Sequence, residues 1–244
     1  MNAMIEPLQN HRSIRKFKDI PLTTEQTEAI IASAQAASTS SNVQAYTIIG
    51  VTDPAKKQEL ARLAGNQAYV EHSGLFLVFC ADLSRLKAAT EQQGETFHQN
   101  TESFVVATVD ATLAAQNAAV AAESLGLGIC YIGGIRNNPQ EVSELLEPPE
   151  LVYPVFGLTI GVPDQEPSLR PRLPRHAVYH ENRYRPEQSQ EGVREYDAKM
   201  LEYYKRRTQG RTVTDWSRSM ADKYRRPVRA HLRPFLENRG FRLD

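Results

Sequence analysis

The sequence predicts an α+β fold with α/β-type layers, in which helices cover both faces of a β-sheet. Predicted helices and strands alternate along the first two thirds of the chain. Most of the predicted strands are apolar on both faces, which is typical of strands buried between helices. The composition agrees with a globular protein, because 41% of the residues are hydrophobic and 24% are charged.

Start signals define the elements of the first part of the chain. Thr23 and Gln26 have the spacing of a capping box, and Asp53 followed by Pro54 is a typical helix start. Runs rich in Ile, Val and Phe between these helices predict strands. The predicted elements are a helix at 5–10, a helix from Thr23 to Ala37, a strand at Tyr46–Thr52, a helix after Pro54 and a strand at Leu75–Ala81.

A polar stretch at 90–101 predicts a loop, and an alanine-dense helix follows it. Gly126 is the expected stop of that helix, since glycine favours the position just after a helix end. The further predicted elements are a helix at Ser103–Leu125, a strand at Gly128–Ile135, a helix at Pro139–Leu146 and a strand at Val152–Val162.

The character of the chain changes after residue 162. Residues 163–186 contain five prolines and show neither a helical nor a strand period, and helices are predicted near 190–206 and 215–239. Residues 167–244 hold 19 Lys and Arg against 10 Asp and Glu, a balance of +9 that the rest of the chain offsets. We therefore divide the chain into a core at 1–162 and, in the same domain, a proline-rich arm with a basic helical extension at 163–244.

Cysteine usage and hydropathy favour a cytoplasmic protein. Cys80 and Cys130 lie in apolar runs without C-x-x-C spacing, so we expect them in the core rather than in disulfides. The N-terminus has no apolar signal-peptide region. No stretch approaches the ~20 apolar residues of a membrane-spanning helix.

Several familiar motifs do not fit. The glycines at 126, 128, 133 and 134 follow a helix and lack the G-x-G-x-x-G spacing, and the chain has no P-loop. His176, His180 and Glu181 could form part of a metal site, but no third ligand has convincing spacing, so we predict no metal. The basic C-terminal third could bind nucleic acid electrostatically, although interleaved acidic residues favour a solvated or ligand-directed face.

Six segments, taken in order, carry a family resemblance. They are His11–Phe17, Ser38–Ser41 with Gln44, Gly65–Gln67, Ala122–Gly128, Tyr131–Asn138 and Pro171–Pro174. Each motif alone is weak, but the ordered set extends from about residue 5 to the C-terminus. The chain resembles the oxygen-insensitive, group A NADPH nitroreductases and the related NADPH:flavin oxidoreductases.

The resemblance implies a central mixed, mainly antiparallel sheet covered by helices. It also implies an intertwined homodimer in which the C-terminal extension wraps the partner and each FMN lies at the interface. Members of the family use NADPH to reduce FMN and pass two electrons to nitroaromatics, quinones or flavins. No side chain is then needed as a nucleophile or acid, so we predict no catalytic residue beyond the cofactor.

The resemblance also implies a set of cofactor-binding residues. Arg12 and Arg15 with Ser13 would bind the FMN phosphate, because forked cations suit phosphate oxygens, and His11 would add a ring donor. Thr39 and Gln67 would bind the ribityl chain or the ring edge, although a turn or capping role fits them equally well. The full set is His11, Arg12, Ser13, Ile14, Arg15, Thr39, Ser40, Gln67, Ala68, Tyr69, Tyr131, Ile132, Gly133, Gly134, Arg170, Pro171 and Arg172.

Charge near the flavin and near NADPH would come from the C-terminal part. Arg170 and Arg172 stand where the family commonly has Lys and then Arg, so position 170 is a conservative departure. One or both would place positive charge at the flavin N1/C2=O edge, where it tunes the reduction potential. Arg207 and Arg211 are the best matches for the NADPH 2′-phosphate. A solvated helix end, where cations are favoured, explains these two arginines nearly as well.

Two alternatives to a general nitroreductase remain open at this stage. One is a dedicated flavin reductase that supplies reduced FMN to a partner enzyme. The other, more remote, is a protein that binds nucleic acid through its basic C-terminal region.

Overall fold

The computed structural model describes residues 5–244, and these form two compact units. The larger unit combines residues 5–167 with residues 231–244, and the smaller unit is Ser168–Ala230. The predicted boundary between residues 162 and 163 stays a prediction. The helices of the larger unit are α1 (Ile5–Gln9), α2 (Thr24–Gln35), α3 (Pro54–Leu63), α4 (Ala68–Glu71), α5 (Ser84–Gln92), α6 (Thr101–Ser124), α7 (Pro139–Leu146) and, after the smaller unit, α11 (Leu232–Asn238).

The sheet of the larger unit has four strands in the order β1-β2-β4-β3. All three neighbouring pairs are antiparallel, and a single parallel bridge joins Ser13 to Ile129 at the outer side of β3. The predicted α+β class is therefore confirmed. The strands are β1 (Tyr46–Val51), β2 (Leu75–Asp82), β3 (Gly128–Ile132) and β4 (Val152–Gly161).

Helices cover both faces of this sheet, as the apolar strands predicted. Phe79 and Leu77 of β2 pack in one cluster with residues of α2 and α6, including Ile30. Phe76 and Val78 face the opposite cluster, which contains residues of α3, α4 and α7. Every residue of β2 is buried, because alternate side chains enter two different cores.

Helix α6 is the central helix of the larger core. Seven of its alanines are buried, and the small side chains allow close packing on the sheet. Among the described residues it is the single helix long and apolar enough, by length and composition, to cross a membrane. Thr, Asp, Gln and Asn side chains interrupt its apolar residues, so it is not an unbroken apolar stretch. The buried alanines give the helix a place in the core of the unit.

The hydrogen bonds at the N-termini of α2 and α3 confirm the two predicted helix starts. Thr23 Oγ1 accepts from Gln26 N at 3.2 Å, and Gln26 Oε1 accepts from Thr23 N at 3.0 Å, which completes the capping box of α2. Asp53 Oδ1 caps α3 by accepting from two backbone amides. Cys80 and Cys130 are both buried and unpaired, as predicted.

Some predicted boundaries were wrong. The strand predicted at Gly128–Ile135 ends at Ile132, where the chain turns into a 3-10 helix at Gly133–Asn137. Helices α4 and α5 were not predicted, and α5 takes up the first residues of the loop predicted at 90–101. The helix predicted at 215–239 is two shorter helices, because Pro227 lies between them and proline cannot continue a helix.

The last residues of the chain belong to the core of the larger unit. Phe241 is 2% exposed, and its ring packs edge-on against Phe104 and Tyr153 with centroids 5.8 and 5.4 Å away. Arg239 donates to the backbone oxygens of Pro148 and Pro149. Residues 231–244 therefore belong with the sheet rather than with the segment that precedes them.

The smaller unit is helical. Tyr196, Met200 and Tyr203 form its buried core, against which Trp216 packs. Gly192 lets two helices approach closely, since a Cβ there would collide with Ala177. Its helices are α8 (Arg175–Val178), α9 (Pro186–Arg207) and α10 (Trp216–Tyr224).

Candidate functional site

The basic segment at 11–17 lies along the outer side of β3. Ile14 N donates to Ile129 O at 2.8 Å, next to the parallel bridge between Ser13 and Ile129. Further along, Lys18 N donates to Val162 O at 2.9 Å. The segment is thus held in an extended form, in which successive side chains point to opposite sides.

Ser13 and Arg15 share one side of this segment. Both side chains interact with the Cys130 thiol, and Arg15 also interacts with the Tyr69 hydroxyl. Burial raises the pKa of the Cys130 thiol, and the contacts from Arg15 and Ser13 oppose that shift. Cys130 is therefore a neutral thiol, and among residues 5–244 the Arg15 guanidinium forms no ion pair with a carboxylate.

Arg12 lies apart from Arg15. Its Nη1 atom is 3.5 Å from the exposed Glu166 Oε1, and its buried Nε atom has no hydrogen-bond partner among the residues that the structure describes. Arg12 lines a cavity of about 290 Å³ with Glu123 and Glu166, whereas Arg15 lines a cleft of about 740 Å³ with Tyr69. The two arginines predicted for one phosphate thus line different cavities.

His11 is anchored to the central helix. Its Nδ1 atom is 2.7 Å from Glu123 Oε1, near the C-terminal end of α6. The Glu123 side chain is 15% exposed, so this contact is protected from water. His11 can still present its other ring nitrogen to a ligand.

Gln67 and Tyr69 form a hydrogen-bonded pair beside the Arg15 cleft. The Tyr69 hydroxyl donates to Gln67 Oε1, and Gln67 Nε2 donates to Ala64 O at 2.5 Å. Gln67 does not cap α4, so the capping alternative is not supported, although its bond to Ala64 is a turn contact. Ala68 begins α4 and lines the same cleft.

Two glycines close the end of β3. A Cβ on Gly134 would collide with Ala64 O and Gln67 Nε2, so only glycine permits this approach. Tyr131 and Ile132 point to opposite faces of the sheet: the Tyr131 hydroxyl donates to Gln116 Oε1 at 3.3 Å, and Ile132 is fully buried. Burial raises the pKa of the Tyr131 hydroxyl. The Ile132 side chain is thus in the core, the Tyr131 ring is half-buried against the other core cluster, and Gly133 and Gly134 present only backbone.

A second polar loop, at 38–44, contains Thr39 and Ser40. Thr39 Oγ1 accepts from Gln44 N at 3.3 Å, which fits the turn role considered for Thr39. Ser40 N donates to Asp110 Oδ1 at 3.0 Å, so the loop is attached to α6. The structure does not bring this loop to the segment at 11–15 within one chain: their anchors on α6, Asp110 and Glu123, are 13 residues apart, which is about 20 Å along a helix.

In the smaller unit, the predicted flavin-edge pair is ordered by its own neighbours. Arg170 Nη2 donates to the Tyr204 hydroxyl at 2.6 Å, and Arg172 Nη1 donates to Arg170 O at 2.9 Å. The Pro171 carbonyl accepts from the Tyr196 hydroxyl at 2.9 Å. Among residues 5–244, neither arginine forms an ion pair with a carboxylate, so their charge is available to an anionic group.

The predicted NADPH arginines lie at the C-terminal end of α9 and just after it. Arg207 approaches the Tyr203 ring at 6.0 Å, and Arg211 Nε donates to Thr208 O at 3.2 Å. Both residues are exposed. The position is also one where cations are favoured by the helix dipole, so both explanations stay open.

The histidines considered for a metal are used otherwise. His180 Nδ1 accepts from Arg185 N at 3.0 Å, and its Nε2 is 3.3 Å from Ser189 Oγ. His176 Nε2 is 3.7 Å from Glu195 Oε1. Within residues 5–244, no group of three His, Cys, Asp or Glu side chains could hold a metal ion.

The described donors fit a phosphate ester that carries a planar ring. Ser13 and Arg15 provide a hydroxyl and a guanidinium on one side of the segment, and in the separate Arg12 cavity the buried Arg12 Nε has no hydrogen-bond partner among residues 5–244. Gly133 and Gly134 carry no side chain at the end of β3, where Ala64 O and Gln67 Nε2 approach Gly134 closely. Three residues of this region were not predicted as site residues: Asp110, Glu123 and Cys130. Asp110 had a signal in the sequence, since it is the lone charged residue between Glu102 and Glu123.

Comparison with known proteins covers nearly the whole chain. The model described as "Nitroreductase family" matches residues 8–162, and the model described as "Nitroreductase family, C-terminal domain" matches residues 170–244.

Individual relatives are similar over their full length. The chain is 49% identical to a Bacillus subtilis protein named FMN reductase (NADPH), covering 99% of both chains. It is 44% identical to the oxygen-insensitive NADPH nitroreductase of Salmonella typhimurium, covering 97% of this chain and 95% of that protein. The solved structure of the NfrA1 nitroreductase from B. subtilis superposes with a TM-score of 0.94 at 49% identity, covering 98% of each chain.

Proposed function

The chain belongs to the nitroreductase family, and from that premise we propose that it is an FMN-dependent NADPH oxidoreductase. It would reduce nitroaromatics, quinones or flavins by two electrons. The observation that carries the proposal is the cluster at the outer side of β3, where Ser13 and Arg15 lie beside Tyr69. When bound, FMN supplies the two-electron redox chemistry that amino-acid side chains lack.

The residues of the chain bind and tune the cofactor. Ser13 and Arg15 would hold its anionic end, with the free ring nitrogen of His11 as a further donor. Gly133–Gly134 would allow its ring to approach the backbone. Arg170 and Arg172 would hold positive charge where the reduced ring becomes anionic, which stabilises the reduced state. Because NADPH and the acceptor would use the same space in turn, we expect ping-pong kinetics.

NADPH would be selected over NADH by the end of α9. Arg207 and Arg211 are the proposed partners of the 2′-phosphate, since guanidinium groups bind phosphate oxygens in a forked geometry. Both are exposed, and within the described part of the chain neither forms an ion pair with a carboxylate. The rings of Tyr203 and Tyr204, just before the end of α9, contact each other with centroids 5.6 Å apart.

A homodimer would complete the site. On α6, Val105, Val109 and Leu113 are 47%, 47% and 41% exposed and recur every four residues, so they form an apolar stripe on one helix face. The loop at 38–44 and the segment at 11–15 are too far apart along α6 to hold one flavin in a single chain. We infer that each flavin lies between two chains and that the C-terminal extension wraps the partner.

An anaerobic visible absorption spectrum tests the main proposal. A bound-flavin band should bleach on addition of NADPH, with NADH as the paired control, and nitrofurazone or a quinone should restore it. A colourless protein that fails to retain added FMN would contradict the cofactor assignment. Light scattering of the same sample would give the oligomeric state, and a monomer would contradict the shared site.

A dedicated flavin reductase is the second candidate. The name of the B. subtilis relative, FMN reductase (NADPH), favours it. Turnover on free FMN should then exceed turnover on nitrofurazone and on a quinone by at least about tenfold in kcat/KM. Similar values for all three acceptors would favour the broader oxidoreductase.

The nucleic-acid alternative has less support from the structure. Two arginines of the basic region are already paired, Arg218 with Asp222 at 3.7 Å and Arg233 with Glu237 at 2.8 Å. Salt-sensitive DNA binding by flavin-free protein would favour this alternative, and its absence would remove it. A cytoplasmic location remains our proposal, since both cysteines are free and buried.

A further inference from the structure

Asp110 is a fully buried carboxylate in a helix that otherwise buries alanine. Its side chain is 0% exposed. Its Oδ1 atom accepts from Ser40 N and its Oδ2 atom accepts from Ala45 N, both at 3.0 Å. Burying a carboxylate is costly unless it is well bonded, so these two bonds account for its presence in the core.

The two bonds bracket a strained loop. Between Ser40 and Ala45, three residues that are not glycine have left-handed backbone, Ser41, Asn42 and Gln44, with φ of 46°, 58° and 52°. Such residues are disfavoured and persist where the surroundings determine them. The loop therefore needs anchors outside itself to keep this shape.

Arg85 holds the same loop by donating to its backbone carbonyl groups. Its Nη1 atom donates to Gln44 O at 3.1 Å and to Tyr46 O at 3.3 Å. Asp110 thus binds one amide at each end of the loop, and Arg85 binds carbonyl groups at its C-terminal end. This backbone carries Thr39, whose hydroxyl oxygen accepts from Gln44 N and whose hydroxyl can in addition donate to a ligand.

We propose that Asp110 is a positioning residue for flavin binding. It fixes the backbone at Ser40 and Ala45, so that Thr39 and Ser40 already have their binding conformation before the cofactor binds. The inference rests on the proposed function, because it assigns this loop to the flavin. Preformed binding groups raise affinity, since the loss of loop freedom occurs on folding rather than on binding. A carboxylate is suited to this role because it accepts two amide hydrogens with one rigid side chain.

Asp110→Asn tests the proposal in the full-length protein. The amide keeps the size of the carboxylate but replaces one acceptor by a donor, so one of the two anchoring bonds is lost. We expect the Kd for FMN, measured by quenching of flavin fluorescence, to rise about tenfold, because bonds to a charged group are worth more than neutral ones. Hydrogen exchange of residues 38–45 should become faster in the flavin-free protein.

Two variants at Ser40 test the hydrogen bond between Ser40 N and Asp110 from the loop side. Ser40→Pro deletes the amide hydrogen that Asp110 accepts, and proline fits there because Ser40 begins a 3-10 turn and Thr39 is extended. Ser40→Ala deletes the hydroxyl but keeps the amide. The Kd for FMN should be about tenfold weaker in Ser40→Pro than in Ser40→Ala, which isolates the anchoring bond from the hydroxyl.

Ala118→Gly is the matched control for stability. It lies in the same helix, is fully buried and touches neither anchor, and it should lower the melting temperature without changing the Kd for FMN. If Asp110→Asn does not fold, the Ser40 pair decides. If the wild-type protein binds FMN and all variants bind it with the same Kd, this inference is overturned and the proposed function is not. A wild-type protein that does not bind FMN would overturn the proposed function and this inference with it.

Discussion

The side chain of Ile14 occupies the space that a Cβ atom on Gly128 would need. Such an atom would lie 2.6 Å from Ile14 Cγ1 and 2.7 Å from Ile14 Cβ. This contact brings the segment at 11–17 close enough to β3 for Ile14 N to bond Ile129 O. The glycine thereby determines where Ser13 and Arg15 are presented.

Gly128→Ala should push this segment away from β3. Overpacking of this kind costs about 1–3 kcal/mol, and we expect a lower melting temperature together with weaker FMN retention. Gly50→Ala is the control, because the nearest atom to its Cβ, Leu77 Cδ2, is 3.8 Å away. Equal FMN retention in Gly128→Ala and wild type would contradict the link between the contact and the site.

Arg15→Ala should weaken FMN retention directly. The guanidinium interacts with the neutral groups Cys130 and Tyr69, so its charge is free for the flavin. Loss of charged hydrogen bonds should raise the Kd for FMN roughly ten- to hundredfold, measured by fluorescence titration. Arg62→Ala, on the exposed side of α3, removes an arginine paired with Glu59 and should leave the Kd unchanged. Unchanged retention in Arg15→Ala would remove this residue from the proposed site.

The stability of the protein should fall at alkaline pH through Cys80. Burial raises the pKa of this thiol from 9.0 to about 12. Between these values the unfolded chain loses the proton and the folded chain keeps it, so unfolding becomes more favourable as pH rises. Urea unfolding from pH 8 to pH 11 should show a fall in unfolding free energy of up to ~1.4 kcal/mol per pH unit from this group. Cys80→Ala should reduce the slope, and an unchanged slope would argue against the shift.

Coenzyme selection should depend on the end of α9. Arg207→Ala and Arg211→Ala should each raise the KM for NADPH several-fold and leave the KM for NADH unchanged, because only NADPH carries the 2′-phosphate. Arg194→Ala, an exposed arginine earlier in the same helix, is the matched control. Steady-state kinetics with both coenzymes measure the effect. An equal change for NADH would indicate a structural role at the helix end.

Local signals in the sequence were enough for much of the fold. The capping box at Thr23, the Asp53–Pro54 start and the apolar β2 were all predictable, since each depends on neighbouring residues. The end of β3 was not predictable in this way. The chain turns at Gly133 because Gly134 must approach Ala64, a residue distant in sequence, and periodicity carries no information about that contact.

The candidate site was predictable as motifs but not as an arrangement. Arg12 and Arg15 are three residues apart, and their separation into two cavities follows from the extended pairing with β3, which the motif alone did not reveal. Cys130 was predicted as a core residue and is one, yet its contact with Arg15 depends on the same pairing. Roles that depend on long-range pairing are invisible in a single sequence.

The distance between Asp110 and Glu123 on α6 has a genetic consequence. If the segment at 11–15 and the loop at 38–44 of one chain serve different flavins, a chain damaged in one part can still supply the other. Co-expression of Arg15→Ala and Asp110→Asn chains would then produce mixed dimers with one intact site and one doubly damaged site. Two variants that each bind FMN poorly would therefore complement each other. In every mixed dimer, the FMN occupancy would reach up to half of the wild-type value.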